Sequence, residues 1–180
     1  GIAPNSVVTL SSDPGEIAGC DGLFLVNGSA DYGGGIRVNP NTSAVIDHCS
    51  VLNNQSVYSG GGIFCDQLAT LKLSHCVLKG NLSGLGGGVH CSFDSVVELA
   101  DNLVAGNHAA TTGALYADGF VASMVNNTLV QNTSDDGSGT IVEWDGSGTN
   151  INNIVAFNSG GIDCFGSPDR WNHNAVFGNT

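Results

Sequence analysis

Residues 76–81 read Cys-Val-Leu-Lys-Gly-Asn, and this short frame recurs along the whole chain. It consists of a Cys or Asn (Gly22 in the first copy), an aliphatic or aromatic residue two positions later and an Asn five positions later. Seven copies are separated by 27, 27, 26, 25, 26 and 21 residues, and they close on Asn27, Asn54, Asn81, Asn107, Asn132, Asn158 and Asn179. A period between about 20 and 50 residues is typical of solenoids and other stacked arrays. The sequence therefore predicts a repeat protein.

A second set of aliphatic residues keeps the same period. Each lies 12 or 13 residues before the Cys or Asn of the frame, and the first three follow an unbroken Gly-Gly-Gly: Ile36, Ile63, Val89, Leu115, Ile141 and Ile162. Short aliphatic segments between Gly-rich corners indicate strands, and a repeat of strands and corners stacks equivalent residues about 4.8 Å apart. We therefore predict an all-β fold, a right-handed parallel β-helix (β-solenoid) of about seven coils.

The recurring Asn predicts an internal ladder. Asn54, Asn81, Asn107, Asn132 and Asn158 are expected in one buried column, in which each amide bonds to the coil above and below. Replacing Asn81 by Leu should then destabilise the stack by about 1 to 3 kcal/mol.

Each coil is expected to hold three strands. They are one at the Gly-Gly-Gly-Ile element, a middle strand such as 71–73 or 97–99, and one before the closing Asn. The segments between the closing Asn and the next Ile or Val differ in length, which predicts loops along one edge. Residues 1–16 are expected to form a partial first coil. The interpretation is a single domain, 1–180, that belongs to a longer chain or an assembly.

These residues and spacings resemble a known family. The frame is similar to the parallel β-helix repeat of pectate-lyase-like proteins. Its Gly-Gly-Gly-Ile and Leu-x-x-Asn spacing looks like the Gly-Gly-Ala-Ile and Phe-x-x-Asn repeats of polymorphic outer-membrane proteins and similar bacterial surface proteins. The likeness covers about residues 17–180. It implies a β-helix at the cell surface or outside the cell, and it implies little about activity, because one fold hosts many functions.

The charge of the chain excludes some partners. Only 4 Lys and Arg stand against 16 Asp and Glu, so the net charge is −12 and nucleic-acid binding is not expected. No apolar run reaches the roughly 18 residues that span a bilayer, so this segment is not expected to insert into a membrane.

Four of the six cysteines follow the repeat. Cys49 and Cys76 share one phase, and Cys65 and Cys91 share another that points into the core. Stacked buried thiols are the first interpretation, and disulfides between stacked pairs are the second. Glu143 falls at the phase of Cys65 and Cys91, so either the register slips near Trp144 or a carboxylate is buried with a partner.

An outward-facing column contains aromatic residues. The position after each core aliphatic is occupied by Arg37, Phe64, His90, Tyr116, Val142 and Asp163. Phe64, His90 and Tyr116 would form a vertical stripe on which sugar rings could stack, and this stripe is the candidate ligand-binding site. The alternative is that the rings stack only to stabilise the strands.

Two polar sets are candidate metal sites. His48, His75, Asp101 and His173 share the phase before the Cys or Asn, where they could hold a metal, act as a base or form a solvated column. Asp135 and Asp136 lie in a Gly- and Ser-containing loop, with Asp145 in the next turn. They are the candidate ligands for Ca²⁺, the one cofactor considered, and no cofactor is expected to be required.

An enzymatic function is the second interpretation. The resemblance implies a polysaccharide lyase or glycoside hydrolase acting on acidic polysaccharide, of which this chain would be a fragment. Lyases of this fold use calcium-binding acids and a basic residue, and no matching Arg motif occurs among four basic residues. Of the hydrolase motifs, only an Asp-Asp pair is matched, at Asp135 and Asp136. We therefore expect no turnover by this chain alone.

The first interpretation of function is an extracellular or cell-surface scaffold with a structural, adhesive or glycan-binding role. Polysaccharide is the expected ligand. Because a β-helix exposes unpaired backbone groups at its end coils, end-to-end association with another copy is a second expected contact.

Overall fold

The computed structural model describes residues 5–144, 148–165 and 170–180, and in these ranges the chain is a stack of 26 short β-strands without an α-helix. Every ladder between named strands is parallel; an isolated bridge between Asn5 and Ser29 is antiparallel. The predicted all-β, parallel β-solenoid is confirmed. The right-handed sense of its coil, the usual hand of crossovers between parallel strands, stays a prediction.

The strands form four sheets that run along the solenoid. Sheet 1 consists of β1 (Val8–Leu10), β5 (Ile36–Val38), β9 (Ile63–Cys65), β13 (Val89–Cys91), β17 (Leu115–Ala117), β21 (Ile141–Glu143) and β24 (Ile162–Cys164). Sheet 2 consists of β2 (Ile17–Asp21), β6 (Ser43–Asp47), β10 (Thr70–Ser74), β14 (Val96–Ala100), β18 (Phe120–Val125), β22 (Thr149–Ile151) and β25 (Arg170–Asn172). Sheet 3 consists of β3 (Phe24–Val26), β7 (Ser50–Leu52), β11 (Val77–Lys79), β15 (Leu103–Ala105), β19 (Thr128–Val130), β23 (Ile154–Ala156) and β26 (Ala175–Phe177). Sheet 4 consists of β4 (Ser29–Tyr32), β8 (Gln55–Ser59), β12 (Leu82–Leu85), β16 (His108–Thr111) and β20 (Thr133–Ser134).

The chain visits the sheets in the order 1, 2, 3, 4 and then begins the next coil. Sheets 1, 2 and 3 each contain seven strands, so the first and last coils are six turns apart and the prediction of about seven coils is confirmed. The register keeps the predicted phase, with Ile36, Ile63, Val89 and Leu115 as successive partners in sheet 1.

The core is a set of stacked aliphatic columns. The first residue of each sheet 1 strand points inward, and Ile36, Ile63 and Ile141 are completely buried. The middle residue of each sheet 3 strand from β3 to β23, such as Leu78 or Leu129, closes the core from the other side. Burying one such side chain contributes about 1.5 to 3 kcal/mol, so the repeated columns are the main source of stability.

The Asn ladder is confirmed at the corner between sheets 3 and 4. Asn81 Nδ2 donates to Asn107 Oδ1 at 2.9 Å and to the Val51 carbonyl at 2.9 Å. The backbone N–H of Asn81 also donates to Asn107 Oδ1, at 3.0 Å. Asn54, Asn107, Asn132 and Asn158 repeat this pattern, and all are 2% exposed or less.

A second Asn ladder, which was not predicted, runs along the corner between sheets 2 and 3. Asn102 Nδ2 donates to Asn127 Oδ1 at 3.0 Å, and Asn127 bonds in the same way to Asn153, and Asn153 to Asn174. In two earlier coils Cys76 and Cys49 take this position, and the Cys49 N–H lies 3.3 Å from the Cys76 sulfur. From the coil of Asn102 onward, the two ladders therefore fix two corners of a coil with the same amide geometry.

Both ladders follow a residue in the left-handed backbone conformation. Before the second ladder the positive-φ residues are His48, His75, Asp101, Asn126, Asn152 and His173. A positive φ costs least for Gly and Asn, which explains why Gly80 and Gly106 take the corresponding place before the first ladder.

The Gly-Gly-Gly runs lie where successive coils touch most closely. A Cβ on Gly87 would lie 2.6 Å from the carbonyl oxygens of both His108 and Gly113, closer than real Cβ contacts. Gly61 meets the coil below it in the same way, at 2.6 Å from the Leu82 carbonyl. These glycines are therefore required by contact between backbones.

Two expectations about the repeat are corrected. Leu25, not Phe24, pairs with Val51, so the first copy of the frame is shifted by one residue. Gly28 takes the ladder position and donates its N–H to Asn54 Oδ1 at 2.8 Å, because Asn27 occupies the positive-φ corner before it.

The prediction that loops follow the closing Asn was wrong for the first five coils, because strands of sheet 4 occupy this segment. The ladders from β4 to β8 and from β8 to β12 each contain a register shift, which breaks the alternation that signals a strand. Residues 1–16 were expected to form a partial first coil. Their described part instead supplies β1, the sheet 1 strand of a first coil that has a strand in all four sheets, and Leu10 is buried there.

Glu143 keeps its register, so the slip near Trp144 does not occur. It pairs with Ala117 and Cys164 in sheet 1, and its side chain is fully buried. The Cys164 sulfur lies 3.9 Å from Glu143 Oε2.

All six cysteines are free thiols, as the first interpretation held. Burial raises the pKa of Cys20 and of Cys76 to about 12. The pKa of Cys91 is raised by its hydrogen bond with Cys65 and by complete burial. Cys20, Cys76 and Cys91 are therefore protonated and pack as small apolar side chains.

Candidate functional site

The outward face of sheet 1 carries a continuous column of rings, which we call the aromatic column. It consists of Tyr58, Tyr32, Phe64, His90, Tyr116, Trp144 and Phe165. The ring centroids of Phe64 and His90 are 5.2 Å apart, and those of His90 and Tyr116 are 5.3 Å apart. The predicted stripe of Phe64, His90 and Tyr116 therefore exists and is the centre of a longer column.

The rest of the column comes from two places that sequence reasoning missed. Tyr32 contacts Phe64 at 5.1 Å and Tyr58 at 5.3 Å, and both tyrosines come from sheet 4. Trp144 Nε1 donates to the Tyr116 hydroxyl at 2.9 Å, and its ring stacks on Phe165 at 4.6 Å. The sequence could have placed Trp144 and Phe165 in the column, because each directly follows a sheet 1 strand.

The column is covered in the middle and open at both ends. Phe64 is 6% and His90 is 5% exposed, whereas Tyr58 is 56% and Trp144 is 49% exposed. The accessible ring faces therefore belong mainly to residues outside the predicted triplet, of which only Tyr116 is partly exposed.

His90 is a buried neutral histidine. Burial lowers its pKa to about 4, although Asp66 opposes this effect. Its Nδ1 has no hydrogen-bond partner within the described structure, and its Nε2 lies 3.8 Å from the Asp118 carboxylate. At neutral pH this ring contributes a flat uncharged surface.

Carboxylates lie along one side of the column. Asp66 accepts from the Arg37 guanidinium at 2.7 Å, which neutralises one cation of the chain. Burial raises the pKa of Asp118, and burial together with the nearby Asp118 raises the pKa of Tyr116. The flank of the column is therefore acidic and offers hydrogen-bond acceptors.

Two shallow clefts open beside the column. One, of about 260 Å³, is lined by Tyr32, Arg37, Phe64, Asp66 and Ser92. The other, of about 310 Å³, is lined by Phe93, Asp94, Asp118, Gly119, Phe120 and Trp144. Each combines an aromatic wall with at least one carboxylate, the combination that sugar hydroxyls and ring faces require.

Asp135 and Asp136, the predicted Ca²⁺ ligands, are exposed and engage different partners. Asp136 accepts from the Thr111 hydroxyl at 2.7 Å and from the Ser138 N–H at 2.9 Å, and the bonds with Ser138 lower its pKa. Asp135 lies 3.3 Å from His108 Nε2. Asp145, the third expected member, lies outside the described residues, and calcium binding here stays a prediction.

His48, His75, Asp101 and His173 occupy equivalent corners, as their phase predicted. Of these, His48 and His75 are brought into ring contact, and Asp101 lies 3.9 Å from His75. His173 lies in the last coil, four coils below His75.

No family model, no curated protein and no solved structure matches this chain. The β-solenoid architecture is therefore established by the structure alone. The resemblance to pectate-lyase-like and polymorphic outer-membrane proteins rests on the repeat pattern.

Proposed function

We propose that this chain is a secreted or cell-surface β-helix scaffold that binds neutral polysaccharide along the aromatic column. The single observation that carries the proposal is the continuity of the column, whose rings come from successive coils. Parallel strands repeat every 4.8 Å or so, and a linear polysaccharide laid along the column would meet aromatic faces at several coils. The covered rings of Phe64 and His90 support the exposed rings on either side of them.

Charge favours a neutral ligand over an acidic one. The chain has a net charge of −12, and Arg37, the cation beside the column, is already paired with Asp66. A polyanion would meet repulsion from Asp94 and Asp118, whereas a neutral sugar could donate hydroxyl hydrogen bonds to them.

Calorimetric titration with neutral hexasaccharides of glucose, mannose and xylose tests the proposal, with oligogalacturonate as the acidic probe. Trp144→Ala and Tyr58→Ala should each weaken binding about tenfold, the order expected for one lost aromatic contact. Phe24→Ala is the matched control, because Phe24 is 76% exposed on sheet 3, away from the column. The proposal fails if no neutral probe binds, or if Phe24→Ala weakens binding as much as Trp144→Ala.

A glycoside hydrolase is the second candidate, and Asp118 is the observation that favours it. Its raised pKa suits a general acid, and Asp66 lies two coils away, about 9.5 Å by the spacing of parallel strands. Inverting hydrolases hold their two carboxyl groups about 6.5 to 9.5 Å apart, so a backbone spacing of two coils allows the two side chains to approach that range. Release of reducing sugar by the chain, lost in Asp118→Asn, would replace the scaffold proposal by this one.

Location outside the cell and end-to-end self-association are also part of the proposal. Location outside the cell rests on the likeness to surface-protein repeats. As a separate finding, the described residues include no helix long and apolar enough to cross a membrane. End-to-end association rests on the unpaired backbone groups that a β-solenoid exposes at any uncovered end coil.

A further inference from the structure

Two histidines and a carboxylate meet at the corner between sheets 2 and 3. Asp47 ends strand β6, and His48 follows it with a φ of 49°, while His75 occupies the same corner one coil later with a φ of 51°. The two imidazole rings are parallel to within 8°, and their centroids are 4.7 Å apart. The positive φ therefore turns both rings to the same side of the corner as the Asp47 carboxylate.

The potential ligand atoms converge. Asp47 Oδ1 lies 2.9 Å from His75 Nδ1, and Asp47 Oδ2 lies 3.1 Å from His48 Nδ1. Within the described ranges, this is the one group of three His, Cys, Asp or Glu residues whose ligand atoms all lie within 4.8 Å of one another. A second carboxylate oxygen, Asp21 Oδ1, lies 3.5 Å from the same nitrogen of His48.

The geometry points to a transition-metal site of the zinc class formed by His48, His75 and Asp47, with Asp21 in reach as a fourth ligand. Zinc binds imidazole nitrogen and carboxylate oxygen at about 2.0 to 2.2 Å, which places neighbouring ligand atoms about 3.3 Å apart in a tetrahedron. The present N–O separations are close to that value. Two imidazole nitrogens also favour zinc over calcium, which prefers oxygen ligands.

The surrounding groups suit a bound metal. Each imidazole would bind through Nδ1 and carry its proton on Nε2, and His75 Nε2 lies 3.9 Å from the Asp101 carboxylate. Asp47 is oriented by the Ser74 hydroxyl, at 2.9 Å, and by the His48 N–H, at 3.1 Å. His48 and His75 are both exposed, so an ion can enter from solvent.

The site would join successive coils. Asp21, His48 and His75 belong to the first, second and third coils, so one ion would bridge three layers of the stack. A metal that binds the folded chain and not the unfolded chain stabilises the folded state. We therefore assign this site a stabilising role that is independent of the aromatic column.

Calorimetry with Zn²⁺, and absorption spectroscopy with Co²⁺ as a probe of tetrahedral coordination, test the site on the metal-free chain. His48→Asn and His75→Asn are suitable variants, since Asn126 and Asn152 adopt the same backbone conformation in later coils. His108→Asn is the matched control, because His108 also faces a carboxylate, Asp135, at 3.3 Å.

One zinc per chain is expected, with a rise in the thermal midpoint of unfolding. His48→Asn and His75→Asn should each weaken zinc binding by more than about tenfold, the least that loss of even an outer partner costs. Both variants should unfold like the parent when zinc is absent, and His108→Asn should bind zinc like the parent. Absence of saturable binding at millimolar zinc would overturn the inference, and so would binding that persists in the double variant His48→Asn/His75→Asn or that is lost in His108→Asn.

Discussion

Replacing Asn81 by Leu should show how much one rung of the ladder contributes. The side chain takes part in four hydrogen bonds: it accepts from the N–H and the Nδ2 of Asn54 and donates to the Val51 carbonyl and to Asn107 Oδ1. Asn81, Asn54 and Asn107 are each 1% exposed or less, so water does not replace the lost bonds. At a net value of about 1 kcal/mol per bond, the free energy of unfolding should fall by about 4 kcal/mol. That exceeds the sequence-based value because the sequence did not reveal that one side chain takes part in four hydrogen bonds.

Urea unfolding followed by circular dichroism gives the change in stability, and hydrogen exchange locates it. The Asn54 N–H should lose most of its protection, because its acceptor is Asn81 Oδ1. Asn53→Gly is the matched control, since Asn53 is exposed and Gly stands at the same corner in the coils that hold Gly80 and Gly106. The ladder reasoning is refuted if Asn81→Leu and Asn53→Gly lower stability equally, or if exchange at Asn54 is unchanged.

Three further outcomes are expected. Gly87→Ala should destabilise the chain by about 1 to 3 kcal/mol, because an added Cβ forces the backbones of neighbouring coils apart. Gly106→Asn should change stability little, because nothing lies within 4 Å of a Cβ added there. Equal losses of stability in urea unfolding would contradict this prediction. In the unfolded chain His90 is protonated near its ordinary pKa of about 6.5, but in the folded chain its pKa is lowered to about 4. The contribution of His90 to the free energy of unfolding is therefore fully present above pH 6.5 and is lost as the pH falls to 4. Between pH 6.5 and 4 the His90→Phe variant should therefore lose up to about 3 kcal/mol less of its free energy of unfolding than the parent does. Parallel plots of the free energy of unfolding against pH would refute this prediction. Val176→Pro should suppress any concentration-dependent light scattering by removing a backbone donor from β26, and association that is unchanged by Pro would argue against stacking through this edge.

The fold could be predicted because identical residue types recur at one phase. Asn54, Asn81 and Asn107 are separated by nearly constant intervals, and only a stack of coils brings such residues together. The predicted first copy of the frame was displaced by one residue at Asn27, and this error has a definite cause. Asn suits both the positive-φ corner and the ladder, so one Asn can satisfy the pattern at either position.

The candidate sites were less visible because they depend on corners. The phase of Phe64, His90 and Tyr116 predicted their stacking, but Tyr32 and Tyr58 reach them from sheet 4 across a Gly-rich turn whose angle the sequence does not specify. Similarly, the phase paired His48 with His75, but it did not single out Asp47, which ends a strand. The positive φ at His48 brings its ring beside that carboxylate.

The two ladders also give the solenoid an electrical direction. Each Asn of the first ladder from Asn54 to Asn158 donates one Nδ2 hydrogen bond to the Oδ1 of the next Asn in the later coil, and the row from Asn102 to Asn153 donates in the same sense. The second Nδ2 hydrogen bond of each goes to a backbone carbonyl of the earlier coil. The amide dipoles of both rows therefore add, and each bond polarises the next. The stack therefore differs in direction from one end to the other. A contact between its two unlike ends is head to tail, and a contact of that kind propagates into a polar filament without a twofold axis.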